Sequence, residues 1–244
     1  MPAPPLSNTF ESGQPDGTVI SAGNSGGGAG TAFSVITGSP TYSVTHVKAG
    51  SLAMSVDTTG TYAETHVAWT GLGSFTTNVW FRTYMYLTAN PVATQPRLLC
   101  ARTSAAANSG FVTMTTAGLL QSMNAAQAGS GTGTVPVALN QYIRVEWRIL
   151  SSTTVGESEW WLYNTPEAPV GSFDDHTNTT GMVLGANTDG IRYGAATATG
   201  PANFHFWMDD VAVSSTGQIG PSGGVTPGPG DDPPIGFIGR GAGW

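Results

Sequence analysis

Charge is scarce in this sequence. Lysine and arginine number 8 among 244 residues, and charged residues of both signs make up 9%. A nucleic-acid surface needs a basic footprint that displaces counterions from phosphates. An anionic membrane surface needs clustered Lys and Arg. With 15 acids and a net charge of −7, the chain argues against both partners. A neutral polysaccharide fits instead, or a protein neighbour in an assembly, and solubility falls to Thr, Ser, Asn and Gly. Cysteine is nearly absent. The single Cys100 excludes an internal disulfide. It lies in the apolar run Arg97-Leu98-Leu99-Cys100-Ala101 and reads as a small buried hydrophobe. No apolar run is long enough to span a bilayer, so no membrane insertion is expected. No basic segment followed by an apolar run opens the chain, so no export signal is expected either. Helical periodicity is missing throughout, which leaves a nearly all-β chain, long enough to bury a core as one sandwich.

What is present is a succession of short strand-like runs separated by Gly, Asn and Pro turns. Residues 1–7 (Met-Pro-Ala-Pro-Pro-Leu-Ser) read as an extended proline-rich arm. Residues 8–218 read as the β-domain, with strands expected at Thr18–Ser21, Thr31–Thr37, Ser43–Lys48, Ser51–Asp57, Tyr62–Trp69, Phe75–Leu87, Arg97–Arg102, Phe111–Thr116, Leu119–Asn124, Gln141–Leu150, Glu157–Asn164, Met182–Leu184, Ile191–Tyr193 and Phe204–Ser214. Ala125–Thr134 and residues 165–180 read as loops. Residues 219–244 form a Gly/Pro-rich linker that ends in apolar residues. Ile235, Phe237, Ile238 and Trp244 there suggest a docking peptide that seats on a neighbouring protein or on another copy of the chain.

The run Phe204-His205-Phe206-Trp207-Met208-Asp209-Asp210-Val211-Ala212-Val213-Ser214 is the organising stretch. Strict alternation puts Phe204, Phe206 and Met208 on one face with Asp210 beyond them, and Trp207, Val211 and Val213 on the other with Asp209 between. Two carboxylates inside such a strand need a cation, an arginine or N–H donors. At the other end of the domain stands Asn8-Thr9-Phe10-Glu11-Ser12-Gly13. Together the two stretches resemble the ends of jelly-roll β-sandwiches of the carbohydrate-binding-module and concanavalin A/laminin-G-like kind. That resemblance covers about residues 8–218. It implies two antiparallel sheets, first and last strands side by side, and acidic residues near them that hold a structural Ca2+. Glu11, Asp209 and Asp210 are the candidate calcium ligands, completed by carbonyls near Asn8 or Ser12; Asp174, Asp175 and Asp189 are alternatives.

A second pattern concerns the faces of three strands. Trp80, Tyr84, Tyr86, Trp161 and Tyr163 alternate away from the aliphatic positions, and Arg82, Arg144, Glu146, Arg148 and Glu159 share those faces. If the strands are neighbours, they form an aromatic and charged platform on which sugar rings stack while Arg and Glu fix hydroxyls. Cross-strand pairs that stiffen a solvent face, or a subunit interface, are the alternatives. The spacing of Glu157 and Glu159 is similar to that of the jelly-roll glucanase acids, but the Asp between and the third acid beyond are missing, so no catalytic residues and no enzyme are expected. Gly23-Asn24-Ser25-Gly26-Gly27 matches Gly-x-Ser-x-Gly without the following helix that a nucleophile elbow needs, and reads as a glycine turn. His46, His66, His176 and His205 stand at no metal-ligand spacing. Low charge, small residues and apolar-tipped arms are similar in style to jelly-roll minor tail or head-decoration proteins of actinobacterial tailed phages. That likeness implies a virion surface protein contacting other virion proteins or copies of itself, with host or environmental glycans as its ligands. A secreted bacterial carbohydrate-binding module is the alternative, and a glycoside hydrolase or lyase a more distant one.

Overall fold

The computed structural model describes residues 5–58, 63–75, 78–93, 95–126, 128–196 and 204–222. The expected docking peptide at 235–244 lies outside these residues. In chain order the strands are β1 (Leu6–Asn8), β2 (Val35–Thr37), β3 (Thr41–Ser43), β4 (Ala53–Asp57), β5 (Thr65–Phe75), β6 (Asn78–Leu87), β7 (Arg97–Arg102), β8 (Asn108–Met114), β9 (Leu120–Asn124), β10 (Gly129–Thr132), β11 (Tyr142–Leu150), β12 (Gly156–Tyr163), β13 (Asp175–Met182), β14 (Thr188–Ala195) and β15 (His205–Ser214). They form two antiparallel sheets, ordered β13-β12-β11-β6-β15-β4-β3 and β10-β9-β8-β7-β14-β5-β2, with β1 added to the first through β15. No helix occurs among the described residues. This is the expected all-β sandwich.

One apolar core lies between the sheets. Phe81, Met85, Val145, Trp147, Trp160, Phe206 and Met208 come from the first sheet, and Val67, Trp69, Leu99, Val112, Ile191 and Tyr193 from the second. Period-two alternation on β6, β11 and β12 sends these side chains inward and their neighbours outward. The indole N–H groups inside the core find acceptors: Trp147 Nε1 donates to Ser158 Oγ at 2.9 Å and Trp160 Nε1 to the Gly131 carbonyl at 3.2 Å. Small residues let the sheets close. A Cβ on Gly110 would stand 3.2 Å from Ile149, and one on Gly133 would stand 2.6 Å from the Trp160 ring.

β15 departs from strict alternation. Asp210 has φ +46°, and the register with β6 shifts between Asp209 and Ala212. This bulge inserts one residue and flips the parity of the remainder of the strand. Val211 and Val213 therefore join Phe206 and Met208 in the core, while Trp207 stays outward. The bulge also divides the strand's free edge. β4 pairs with His205–Met208, and β1 pairs Leu6, Ser7 and Asn8 with Val213, Ala212 and Val211. First and last strands thus lie side by side, and part of the expected arm is strand.

Further expectations change: the loop expected at Ala125–Thr134 contains β10, and the strand expected at Ser43–Lys48 is β3 followed by a loop. Phe75 closes β5, and a separate strand starts at Asn78, so the long run expected at Phe75–Leu87 is two strands. Thr18–Ser21 contributes only an isolated bridge, Val19 to Thr41. Asp175–Met182, expected as loop up to residue 180, is the edge strand β13; open on one side, it can be built from His, Thr and Asn.

Candidate functional site

The outward face of the first sheet carries every residue of the sequence-derived platform. Registers across β6, β11 and β12 align Trp80–Arg148–Glu159, Arg82–Glu146–Trp161 and Tyr84–Arg144–Tyr163, with Tyr86 beside Tyr142. The strands are neighbours, as the platform requires. The face is not uniformly open, however, and it divides into three zones.

The centre is covered. Tyr84, Arg144, Glu146 and Tyr163 have no exposed surface, and Arg82 retains 6%. Two segments lie over them. Residues 216–222, which come after β15, cross the sheet: the amides of Ile219 and Gly220 donate to Glu146 Oε2 at 3.1 and 3.3 Å, Arg82 Nη1 donates to the Gly220 carbonyl at 3.0 Å, Gln218 Nε2 to the Tyr163 hydroxyl at 2.9 Å, and Ser222 N to the Tyr84 hydroxyl at 2.6 Å. The β12–β13 connection supplies the second cover, where Arg144 Nη2 donates to the Ala168 carbonyl at 2.8 Å. Beneath them Arg144 Nε lies 3.0 Å from Glu146 Oε1, an electrostatic contact rather than a directed hydrogen bond. The Arg144 guanidinium also stacks over Tyr163 at 3.7 Å. Burial pushes the Glu146 carboxyl above the usual range, against the pull of Arg144 and the two amides. Lys48 ties the covers together, pairing with Glu167 at 2.6 Å, donating to Ser222 Oγ at 2.9 Å and lying over the Tyr84 ring. Arg82, Tyr84, Arg144 and Tyr163 thus hold the fold's own chain. They do not face a ligand in this conformation.

At one end, the loop after β3 folds over the sheet. His46 stacks on Tyr86 with centroids 3.8 Å apart and meets the edge of Trp207 at 4.4 Å. The Tyr142 hydroxyl donates to the His46 carbonyl, and His205 Nε2 and Ser55 Oγ lie 2.8 Å apart. Tyr86 is engaged in this cluster.

The other end is open. Trp80 stacks on Trp161 at 5.2 Å and 18°, Trp161 on His176 at 5.1 Å and 17°, and His176 meets Phe173 at 5.2 Å. The rings stand in a row and cover one another's inner faces. Trp161 is 8% exposed, Phe173 at the row's end is 41% exposed, and Trp80 at the other end is half-buried. Alongside runs a charged rail. Arg148 Nη1 donates to Glu157 Oε2 at 3.1 Å and to Glu159 Oε2 at 2.9 Å, and its Nε donates to Asn78 Oδ1 at 2.8 Å. His176 Nε2 lies 2.8 Å from Glu159 Oε1. Of the sequence candidates, Trp80, Arg148, Glu159 and Trp161 therefore come together at a surface. His176 and Phe173 were missed because residues 165–180 read as loop. The usable signal was Thr177 and Thr179, β-branched residues alternating with His176 and Asn178.

The proposed calcium ligands do not converge. Glu11 accepts from Ser51 N, Leu52 N and Ser51 Oγ at 2.7–2.8 Å, capping the turn before β4. Asp209 Oδ2 accepts from Lys48 N at 3.0 Å, and its Oδ1 from Asp210 N at 2.7 Å. Asp210 pairs with Arg82 at 2.6 Å. Each carboxylate is already satisfied by N–H donors, and among the described residues no three His, Cys, Asp or Glu side chains group as metal ligands. These residues do not fit an oxygen shell for Ca2+. Asp175, an alternative, accepts from the amides of Thr134 and Val135.

Ser25 is buried, with its hydroxyl accepting from Phe33 N and its carbonyl from Asn8 Nδ2, so it organises a turn. Cys100 is buried and free, and desolvation pushes its thiol up to about 12.

No protein-family model matches the sequence, and no curated protein matches it. Solved structures do share its architecture. The cellulose-induced protein Cip1 superposes with a TM-score of 0.57 at 16% identity, over 88% of this chain and 99% of that one. A Trypanosoma rangeli sialidase, solved in complex with 2,3-difluoro-KDN, gives 0.50 at 11% identity, over 88% of this chain and 31% of the sialidase. The protein HCR/D-Sa-GBL1/C gives 0.53 at 9% identity, over 86% of this chain and 48% of that one. The shared property is the fold. The chain spans nearly all of Cip1 and under a third of the sialidase.

Proposed function

We propose that this chain is a glycan-binding β-sandwich module, and that the saccharide lies along the open end of the first sheet, from Trp80 to Phe173. The observation that carries this reading is the row Trp80–Trp161–His176–Phe173 beside the Arg148–Glu157–Glu159 rail. Sugars offer apolar C–H faces and polar rims together, and this strip offers both complements. Solvent reaches the row at its two ends, so Trp80 and Phe173 supply the apolar contacts. Arg148, Glu157 and His176 address hydroxyls. Trp161 is a positioning residue that keeps Trp80 and His176 upright. Both acids are committed to Arg148, which suits binding rather than hydrolysis.

The setting is argued from the sequence. Low charge and an apolar-tipped tail favour a virion surface component, a minor tail or decoration protein of a phage, attached through residues outside the described part and adhering to host glycans. The likeness to a whole protein named for induction by cellulose favours a second setting, a secreted carbohydrate-binding module. The experiment common to both is affinity electrophoresis of the full chain through gels containing soluble polysaccharides, with Trp80→Ala and Arg148→Ala alongside. Retardation by at least one glycan, lost in both variants, is the expected result. Retardation that both variants preserve would move the site elsewhere.

A further inference from the structure

A second, unrelated site lies on the outward side of the other sheet. Ile191 and Trp69 point into the core, so Gly190 and Thr70 point out, and the register sets Arg102 and Thr70 on either side of Gly190. Because Gly190 and the adjacent Gly71 carry no side chains, the floor there is bare backbone. A cavity of about 360 Å³ results, lined by Val35, Thr70, Arg102, Thr103, Ser104 and Asp189 with the two glycines and Ala106. That volume accommodates one or two sugar rings.

The Arg102 side chain has no hydrogen-bond or ion-pair partner among the described residues, and its Nε is shut off from water without an acceptor. In a chain with 8 basic residues this is conspicuous, because a guanidinium N–H shut off from water ordinarily finds an acceptor. Its neighbour Arg192 is occupied by the Ala196 carbonyl at 3.2 Å and by Glu64 at 3.7 Å. Asp189 lines the same cavity but is not within ion-pair reach of Arg102. The cavity therefore presents a guanidinium without a protein partner at one wall, a carboxylate acceptor at another and hydroxyls between. A planar carboxylate matches the guanidinium fork. Ligand hydroxyls match Asp189, whose charge disfavours a dianion such as phosphate.

We propose that this cavity binds a small hydroxylated monocarboxylate, a sugar acid, with its carboxylate on Arg102 and a hydroxyl on Asp189. The site is independent of the Trp80–Phe173 strip and does not rest on it. The test titrates the full chain with galacturonate by calorimetry, with its methyl ester and inorganic phosphate as competitors. Saturable binding is expected, weakened at least tenfold in Arg102→Gln, unchanged in Trp80→Ala and not displaced by the ester or phosphate. Arg102 has no partner to lose, so the Gln variant should melt no lower than the parent. Val35→Trp, which fills the cavity from its rim and leaves Arg102 in place, should abolish binding as well. No saturable binding, equal binding by both cavity variants, or displacement by phosphate at equal concentration would overturn the proposal.

Discussion

Two buried titratable residues set opposite pH trends. Burial raises the Asp209 carboxyl to about 7, so the folded state keeps a proton that the unfolded chain has lost above its ordinary value near 4. Its contribution is present in acid and fades as pH rises toward 7. Burial and the Arg192 charge lower His66 to about 3, so the unfolded chain binds a proton below about 6.5 that the folded state refuses. That contribution is lost as pH falls from about 6.5. Between about pH 4.5 and 6.5 the two slopes, each about 1.4 kcal/mol per pH unit, oppose one another. Urea unfolding across that window should show stability rising with pH in Asp209→Asn and falling with pH in His66→Leu. Parallel shifts without a change of slope would contradict both assignments. The calcium expectation is tested at the same scale. With Glu11, Asp209 and Asp210 satisfied by N–H donors, chelation by EGTA should leave the melting temperature unchanged; a drop of several degrees would restore the calcium reading. The sequence already showed that the Asp pair needed partners. It did not show which, because Lys48 and Ala49 lie some 160 residues away along the chain.

Among the elements, the 216–222 segment acts as a strap over buried charge. Stopping the chain at Ser222 should leave the melting temperature unaltered. Stopping at Ser214 removes the amides on Glu146 and the carbonyl on Arg82, and charge-assisted hydrogen bonds count for about 1.5–3 kcal/mol each. Thermal denaturation of the two truncations should therefore separate them by about ten degrees or more. Gly133 offers a second check. A methyl there meets Trp160 and Asp175, so Gly133→Ala should cost about 1–3 kcal/mol in chemical denaturation. Alternation made β7, β11 and β12 legible almost to the residue, most clearly on β11, whose inward positions Ile143, Val145, Trp147 and Ile149 are aliphatic or aromatic without interruption. It failed at β15, where one inserted residue reverses parity without altering composition. It failed again at β13, whose edge position relaxes the demand for apolar residues.

For the molecule as a whole, the sandwich and the adjacency of its first and last strands were readable from the hydrophobic pattern and from resemblance. The platform was readable only in part. Periodicity placed its residues on the correct side of three neighbouring strands, yet it carries no information about which loops return to cover that side. Only where the covers end, at Trp80, Trp161, Arg148 and Glu159, does the expected arrangement meet solvent, joined there by His176 and Phe173. Everything proposed for this face depends on glycan recognition at that strip. A glycan array probed in parallel with the full chain and with folded Trp80→Ala examines it without intermediaries. The parent chain should bind a defined group of saccharides, with signals at least tenfold weaker in the variant. A parent chain that binds nothing, or a variant that binds the same group equally well, would contradict glycan recognition there.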